Sequence, residues 1–250
     1  MKLMGVENQN LDPIPGTDKT LLTVKNLTTR FAVKGGFFRR TVANVHAVED
    51  LSFTLNKGQT LALVGESGCG KSTAGRSLLR LVEPLSGKVE FEGRDILGLS
   101  QKDLHKARLD MQMIFQDPFA SLNPRMPVCD LITEPAHIHH RLSRRTRKAL
   151  AADLLQKVGL EPAAADRYPH QFSGGQRQRL CIARALSVRP ALIVADEAVS
   201  ALDVSVARQV TDLMARLQAE DGVSFLFISH DIAVVERVSH RVAVMWAGRI

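Results

Sequence analysis

The sequence predicts an α/β fold in which short buried strands lead into helices. Three apolar runs, at residues 60–64, 191–195 and 223–229, have the length and continuous hydrophobicity of parallel strands that are covered on both faces. Residues 73–81 and 176–187 have the periodicity of helices, and we expect these side chains to face inward: Leu78, Leu79, Leu81, Leu180, Ala183 and Leu186. At 250 residues and 45% hydrophobic content, the chain can bury the core of one large domain or two small ones.

A glycine-rich segment that matches the pattern G-x-x-x-x-G-K-[ST] follows the first predicted strand. Its nine residues are Gly65, Glu66, Ser67, Gly68, Cys69, Gly70, Lys71, Ser72 and Thr73. The glycines let several backbone N–H groups face one phosphate chain, and the positive end of the next helix adds to this attraction. The Lys71 ammonium can then reach the β- and γ-phosphates, while the Ser72 hydroxyl is placed to bind Mg²⁺. The pattern therefore predicts a site for ATP with Mg²⁺.

Two carboxylates, Asp196 and Glu197, follow the predicted strand at residues 191–195. Ligands collect at the carboxyl ends of the strands in open α/β sheets. Asp196 is suited to hold Mg²⁺, directly or through water, and Glu197 is suited to polarise an attacking water. The alternative is a strand that ends in a solvated acidic turn. The phosphate loop upstream favours the catalytic interpretation.

Residues 172–179, with the sequence Phe-Ser-Gly-Gly-Gln-Arg-Gln-Arg, are the most discriminating segment. Ser173 is a good N-cap for the helix predicted at residues 176–187, and the two glycines expose backbone N–H groups at its start. This is a second helix start suited to an anion. One ATP does not need two such loops in one small domain.

These motifs together resemble the nucleotide-binding domain of ATP-binding-cassette (ABC) proteins, whose signature motif is Leu-Ser-Gly-Gly-Gln. The resemblance covers residues 21–250 and implies an ABC-type P-loop ATPase domain with an inserted helical subdomain at about residues 117–172. It also implies that one domain's signature, here Ser173, Gly174, Gly175 and Gln176, closes over the ATP held by a partner domain. Phe172 replaces the usual leucine. Ala198 and Val199 replace the usual Pro-Thr, so we expect a less constrained backbone there without loss of a catalytic group.

The resemblance assigns roles to residues that no local pattern identifies. Gln116 falls where the family has a glutamine that contacts Mg²⁺ or water and senses the membrane partner. His230, after the predicted strand at 223–229, matches a histidine that contacts the γ-phosphate. Residues 200–203, Ser-Ala-Leu-Asp, match the loop that crosses to the other subunit. With Glu197, we expect Gln116 and His230 to be catalytic.

An aromatic residue near the start of the chain resembles the one that stacks on adenine in this family. Phe31 is the first candidate, and the connection that follows it leaves Phe37 or Phe38 as alternatives. The structural alternative for Phe31 is an aromatic side chain packed in the core.

Residues 114–125 resemble the corresponding segment in the ATPase subunits of importers of peptides, opines and nickel. Their sequence is Ile-Phe-Gln-Asp-Pro-Phe-Ala-Ser-Leu-Asn-Pro-Arg. Residues 195–205 and 239–245 are closer to the second of two ATPase domains that glutathione importers carry in one chain. The resemblance implies an ATPase that hydrolyses Mg-ATP to power import of glutathione or short peptides. It further implies a second ABC ATPase domain in a homo- or heterodimer, two multispanning permease subunits and an external solute-binding protein.

The alternatives are an importer of nickel or opines and a soluble ABC ATPase that acts on nucleic acid or ribosomes. Chromosome-organising relatives separate the phosphate loop from the signature by a long coiled coil, whereas this chain shows no sustained heptads. Ribosome-acting relatives usually carry two such domains, and only one is present. The spacing therefore favours a transporter subunit, and the resemblance to importers implies that it lies on the cytoplasmic face of the bacterial inner membrane.

The two ends of the chain differ from the body. Residues 1–19 are polar, contain Pro13 and Pro15 and do not resemble a signal peptide, so we expect a flexible leader or linker before an ABC domain at residues 20–250. No stretch approaches 18 apolar residues. The family normally continues beyond the position of Ile250, which leads us to expect a truncated carboxyl end.

Composition limits the remaining classes of partner. The net charge is +7, with a basic cluster at Arg141, Arg144, Arg145, Arg147 and Lys148. A solvated helix face after an N-cap at Ser143 explains this cluster, and the alternative is a surface that binds anionic lipid head groups.

Aromatic residues make up 5% of the chain and do not interleave with the basic cluster, which disfavours binding of nucleic acid. His137, His139 and His140 lack Cys or carboxylate partners at metal-ligand spacing. Three scattered cysteines indicate a reducing cytoplasm.

Overall fold

The structure, a computed structural model, describes residues 19–35 and 40–250. The chain divides into two compact units, one comprising Met1–Arg108 with Ser224–Ile250 and the other comprising Leu109–Val223. The leader or linker expected at residues 1–19 lies, apart from Lys19, outside the described residues. Phe37 and Phe38, two candidates for the aromatic that stacks on adenine, lie outside them as well.

Strands and helices are interspersed along the chain, and from β7 onwards they alternate. The strands are β1 (Thr20–Gly35), β2 (Arg40–Asn56), β3 (Thr60–Val64), β4 (Ser86–Phe91), β5 (Arg94–Asp95), β6 (Met111–Ile114), β7 (Leu192–Asp196), β8 (Ser224–Ser229) and β9 (Arg241–Val244). The α-helices are α1 (Lys71–Leu78), α2 (Gln101–Ala107), α3 (Pro118–Ser121), α4 (Val128–His140), α5 (Arg144–Lys157), α6 (Gly174–Leu186), α7 (Val204–Asp221) and α8 (Ile232–Val238). Two 3-10 helices, Pro162–Asp166 and Pro169–Gln171, lie between α5 and α6.

An antiparallel sheet with the order β2-β1-β4-β5 belongs to the first unit. Leu22 and Val24 of β1 lie opposite Phe91 and Val89 of β4, and all four side chains are buried. Successive side chains of a strand point to opposite faces, so residues two apart share the covered face. This sheet therefore contributes one face to the core of the unit.

A parallel group of strands belongs to the same unit, with β3 paired to β8 on one side and to β9 on the other. Leu61 and Leu63 of β3 lie opposite Leu226 and Ile228 of β8, and all four are buried. The strand predicted at residues 60–64 is confirmed, and the one predicted at 223–229 begins one residue later. Because these strands are parallel, the loops after β3 and β8 leave at the same edge.

The helix after the phosphate loop, α1, is shorter than the segment predicted at residues 73–81. Leu78 and Leu79 are buried as predicted, but Leu81 is 45% exposed, so its predicted inward position is wrong. The helix ends at Leu78, and Arg80 has a positive φ of 50°. The carbonyl oxygens of Leu79 and Arg80 accept hydrogen bonds from the Arg108 guanidinium. A side chain from beyond α2 thus satisfies carbonyl groups at the end of α1.

The second unit contains a parallel pair, in which Met111 of β6 lies opposite Leu192 and Ile114 opposite Ala195 of β7. Every residue of β7 is buried, which explains the continuous apolar run in the sequence. The strand predicted at residues 191–195 is displaced by one residue, so Asp196 is its last member. The loops that carry Gln116 and Glu197 therefore leave this pair at one edge.

The helices of the second unit pack around α6, which contacts α3, α4, α5 and α7. Leu180, Ala183 and Leu186 of α6 are buried as predicted. The helix begins at Gly174, two residues earlier than predicted, because Ser173 caps it. Within the part of the chain that the structure describes, no helix has the length and apolar character needed to cross a bilayer.

The basic cluster lies at the start of α5. Ser143 caps this helix as predicted, because its hydroxyl accepts a hydrogen bond from the Thr146 N–H. Arg147 forms an ion pair with Asp130 at 2.7 Å, and Lys148 lies 4.0 Å from Asp166. The other members of the cluster are exposed: Arg141, Arg144 and Arg145. An exposed helix face in water accommodates these charges.

Candidate active site

The phosphate loop is held backbone against backbone at the edge of the parallel strands of the first unit. Gly70, the N-cap of α1, has a φ of 109°, and a Cβ there would lie 1.9 Å from the Ala47 carbonyl oxygen. A Cβ on Gly65 would lie 2.1 Å from the Met245 carbonyl oxygen. Both positions are therefore restricted to glycine. The Gly248 N–H also donates to the Cys69 carbonyl at 2.9 Å, which fixes the loop further.

Lys71 lies along the inside of this loop. Its side chain is almost completely buried, and its ammonium donates to the carbonyl oxygens of Gly65 at 2.8 Å and Glu66 at 2.7 Å. These bonds hold the cation against the backbone of the loop. Ser72 and Thr73 follow in the first turn of α1 and are half-buried. The arrangement fits a phosphate group, because positive charge and N–H donors are positioned before any ligand binds.

His230 lies at the same edge of the first unit as the phosphate loop. The pairing of β3 with β8 places Val64 opposite Ser229, so Gly65 and His230 are the next residues on neighbouring strands. His230 is exposed, and the following residue, Asp231, caps α8 by accepting from the Ala233 N–H at 2.9 Å. The sequence pattern alone placed His230 at a strand end, and the parallel register places that end beside the loop.

Gln116 contacts Glu197 in the second unit, directly after the strand that ends at Asp196. The Gln116 amide donates to Glu197 Oε2 at 2.8 Å. Asp196 is completely buried at the end of β7, whereas Glu197 has a φ of 48° and turns the chain away from the strand. The Ser200 hydroxyl and N–H both donate to the Glu197 carbonyl, at 2.9 and 3.1 Å. Glu197 is therefore fixed through its carboxylate and through its backbone.

The turn after Glu197 is well held despite the replacement of the usual Pro-Thr. Ala198 and Val199 are both buried, and the Val199 carbonyl accepts from the Leu202 N–H at 3.2 Å. The hydrogen bonds from Ser200 to Glu197 hold the other side of the turn. Burial and hydrogen bonding thus hold a backbone that we expected to be less constrained.

The signature segment begins α6 with a capping box. The Ser173 hydroxyl accepts from the Gln176 N–H at 3.3 Å, and the Gln176 side-chain oxygen accepts from the Ser173 N–H at 3.0 Å. A Cβ on Gly174 would lie 3.7 Å from Leu202 Cδ2, which is ordinary contact, whereas a Cβ on Gly175 would lie 2.2 Å from Val206 Cγ1. The cap predicted at Ser173 is therefore present, with Gln176 as its reciprocal partner, and Gly175 lets α6 approach α7 closely.

Phe31 is 42% exposed, so the core-packed alternative is wrong. It lies opposite Val45 on β2, which is also exposed, and the two form an apolar spot on the antiparallel sheet. The exposed ring has a free surface on which a planar base could stack. Contact with adenine stays a prediction.

The chain matches the family model described as ABC transporter over residues 48–200. The chain belongs to the ABC transporter family. The matched residues extend from β2, through the phosphate loop and the signature segment, to Ser200. The resemblance deduced from the motifs is therefore confirmed.

Curated members of the ABC transporter family are highly similar to this chain. It is 57% identical over 230 residues to the probable peptide ABC transporter ATP-binding protein y4tS of Sinorhizobium fredii, covering 92% of this chain and 65% of the relative. It is 55% identical over 245 residues to the glutathione import ATP-binding protein GsiA of Pectobacterium atrosepticum, covering 98% and 39%. For GsiA of Escherichia coli K12 the identity is 56%, covering 92% and 37%. The chain spans less than two thirds of each of these relatives.

Solved structures of ABC cassettes share the fold. The dimeric ATP-binding cassette MJ0796, in a post-hydrolysis state with ADP and Pi, matches with a TM-score of 0.80 and 29% identity, covering 92% of this chain and 96% of that one. CbiO1 of Clostridium perfringens, part of the transporter complex cbiONQ, matches with a TM-score of 0.78 and 26% identity, covering 93% and 87%. The predicted fold class of an ABC-type P-loop ATPase is therefore confirmed.

Proposed function

We propose that this chain is an ATPase subunit that binds and hydrolyses Mg-ATP to power import of glutathione or short peptides through separate membrane permease subunits. The hydrogen bond between Gln116 and Glu197 carries the ATPase part of this proposal, because it orients the carboxylate of the residue that follows the buried Asp196. The cargo rests on the names of the relatives, which are peptide and glutathione import proteins.

The candidate ligands fit a magnesium ion by their chemistry. Mg²⁺ prefers oxygen donors, and Ser72, Asp196 and Gln116 supply a hydroxyl, a carboxylate and an amide oxygen. A carboxylate as buried as that of Asp196 is stabilised by a cation. When bound, the metal offsets the negative charge of the phosphates. We assign Mg²⁺ binding to these three residues.

The remaining candidates position the phosphates and the water. The loop from Gly65 to Thr73 holds the β- and γ-phosphates through its N–H groups and the Lys71 ammonium, and His230 contacts the γ-phosphate. Glu197 accepts a hydrogen bond from the attacking water and orients it towards phosphorus. The new bond joins the water oxygen to the γ-phosphorus while the bond to the β–γ bridging oxygen breaks. Glu197, as general base, takes the proton that the water loses and passes it to the phosphate that leaves with ADP. Gln116 fixes the plane of the Glu197 carboxylate during this step.

The signature residues serve a second nucleotide. Ser173, Gly174, Gly175 and Gln176 present the start of α6 to the ATP of another ABC ATPase domain, in a homo- or heterodimer. The dimeric state of the MJ0796 cassette supports this proposal. We further propose that the segment at residues 117–170 contacts two permease subunits, which receive cargo from an external solute-binding protein. The subunit would then lie on the cytoplasmic face of the bacterial inner membrane.

An uptake experiment tests the cargo. Deletion of the gene is expected to abolish uptake of labelled glutathione or of labelled dipeptides, and a plasmid copy of the gene should restore it. A copy with Glu197→Gln should not restore it. The tagged protein should co-purify with two permease subunits from membranes. Loss of nickel or opine uptake alone would assign another cargo, while association with ribosomes or DNA would favour a soluble ATPase.

Cys69 gives a separate test of nucleotide binding at the phosphate loop. It is partly exposed, whereas Cys129 and Cys181 are buried, and burial raises the pKa of the Cys129 thiol and raises the pKa of Cys181 to about 11. N-ethylmaleimide is therefore expected to modify Cys69 first and to block ATPase activity by occupying the loop. Saturating Mg-ATP should protect the enzyme. A Cys69→Ser variant that is active and equally sensitive to the reagent would contradict this assignment.

A further inference from the structure

An arginine of the signature helix covers an exposed aromatic ring that follows Gln116. The guanidinium carbon of Arg177, in the first turns of α6, lies 3.9 Å from the centre of the Phe119 ring in α3. Phe119 is 62% exposed, so the core does not account for an aromatic residue here. A planar guanidinium on a ring face is a favourable cation–π contact.

The edge of the same guanidinium is bound to the turn that leads into the signature. Arg177 Nε donates to the Pro169 carbonyl at 2.8 Å, and a terminal nitrogen donates to the His170 carbonyl at 3.3 Å. These two bonds fix the guanidinium at the position where its carbon lies over the ring. Arg177 thus joins α6, the preceding 3-10 helix and α3 through one rigid group.

Phe119 is connected in turn to Glu197, the general base, through the residues between them. Asp117 caps α3, and its carboxylate accepts from the Phe119 N–H at 2.7 Å. Asp117 follows Gln116 directly, and the Gln116 amide binds Glu197. A second tether closes α3 at its other end, where the Arg184 guanidinium of α6 donates to the Ser121 carbonyl. The contacts from Glu197 to the signature helix are therefore continuous within the second unit.

We propose that Phe119 and Arg177 are a pair of positioning residues, whose stacking transmits the position of the signature helix to the Gln116–Glu197 hydrogen bond. The proposal rests on the function proposed above. When the signature engages the partner domain's nucleotide, α6 becomes fixed, and the stacked pair fixes α3 with it. Gln116 then holds the Glu197 carboxylate in the orientation that directs water. One domain's engagement with its partner would thereby set the readiness of its own general base.

The test is a double-mutant cycle on ATP hydrolysis by the assembled transporter. Phe119→Leu keeps an apolar side chain but removes the ring, and Arg177→Lys keeps the charge but removes the planar fork. We expect each to lower kcat about threefold to tenfold, in line with the strength of a partly exposed cation–π contact. KM for ATP should not change, because neither residue is placed at the phosphates. The double variant should lose no more than the more impaired single variant.

Two further variants separate positioning from a general loss of structure. Phe119→Tyr keeps the ring and should retain the wild-type kcat. Arg167→Lys is the matched control, because the Arg167 guanidinium also stacks on a phenylalanine, Phe172, with its carbon 4.6 Å from the ring centre. Phe119→Leu should lower kcat by the same factor in the Arg167→Lys background as in the wild type. Melting temperatures of all variants are compared with that of the wild type.

The outcomes are distinct. A wild-type transporter without ATPase activity would overturn the proposed function and this pair with it. The pair alone would be overturned by an active wild type in which neither Phe119→Leu nor Arg177→Lys lowers kcat. It would also be overturned if the fold-loss in kcat of the double variant equalled the product of the two single losses. A loss of activity in Phe119→Tyr equal to that in Phe119→Leu would also overturn it, since the ring would then be irrelevant.

Discussion

Glu197→Gln is expected to lower the rate of ATP hydrolysis about a hundredfold or more while ATP binding stays intact. The amide has the shape of the carboxylate, and its oxygen can still accept the hydrogen bond that Gln116 donates to Glu197. It lacks the negative charge that polarises the attacking water. Since binding of the phosphates is assigned to the Lys71 loop, the variant should accumulate as a closed, ATP-filled dimer.

The measurement is steady-state ATPase activity of the assembled transporter, together with titration of a fluorescent ATP analogue. Glu220→Gln is the matched control, because Glu220 is an exposed carboxylate of the same unit, on α7, and its loss should leave both values unchanged. Near-normal turnover by Glu197→Gln would remove this residue from the role of general base.

Lys71→Ala is expected to weaken ATP binding by about tenfold to a hundredfold, the range of a hydrogen bond to a charged group. The ammonium is assigned to the ground-state phosphates as well as to the transition state, so its loss should appear in affinity and not only in kcat. The substitution also removes the donor that bonds to the carbonyl oxygens of Gly65 and Glu66. The loop should therefore be less well ordered before nucleotide binds.

Two additional variants separate charge from packing at this position. Lys71→Met keeps most of the buried stem without the charge, and it should bind ATP as weakly as Lys71→Ala. Lys57→Ala removes a half-buried lysine of the same unit that pairs with Glu92, and it should bind ATP normally. Unchanged affinity in Lys71→Ala and Lys71→Met would count against the assignment of the phosphate loop.

Local patterns gave a large part of the fold and of the candidate site. The strand at residues 60–64 was predicted without error, because a continuous apolar run is typical of a strand covered on both faces. The cap at Ser173 followed from its hydroxyl and from the glycines beside it. The end of α1 was not predictable in this way. The carbonyl groups of Leu79 and Arg80, just after the helix, are bound by Arg108, and the sequence near Leu81 carries no sign of that distant side chain.

By itself, the sequence determined the phosphate loop, the buried strands and the helix starts, since the spacing of neighbouring residues decides backbone hydrogen bonds and apolar periodicity over one or two turns. Only the tertiary structure decided which distant side chains meet. Gln116 and Glu197 are 81 residues apart, and they are joined because β6 and β7 pair in a register that brings their carboxyl ends together. The stacking of Arg177 on Phe119 likewise depends on how α3 packs against α6. Such contacts depend on packing across the whole unit, and no short segment contains that information.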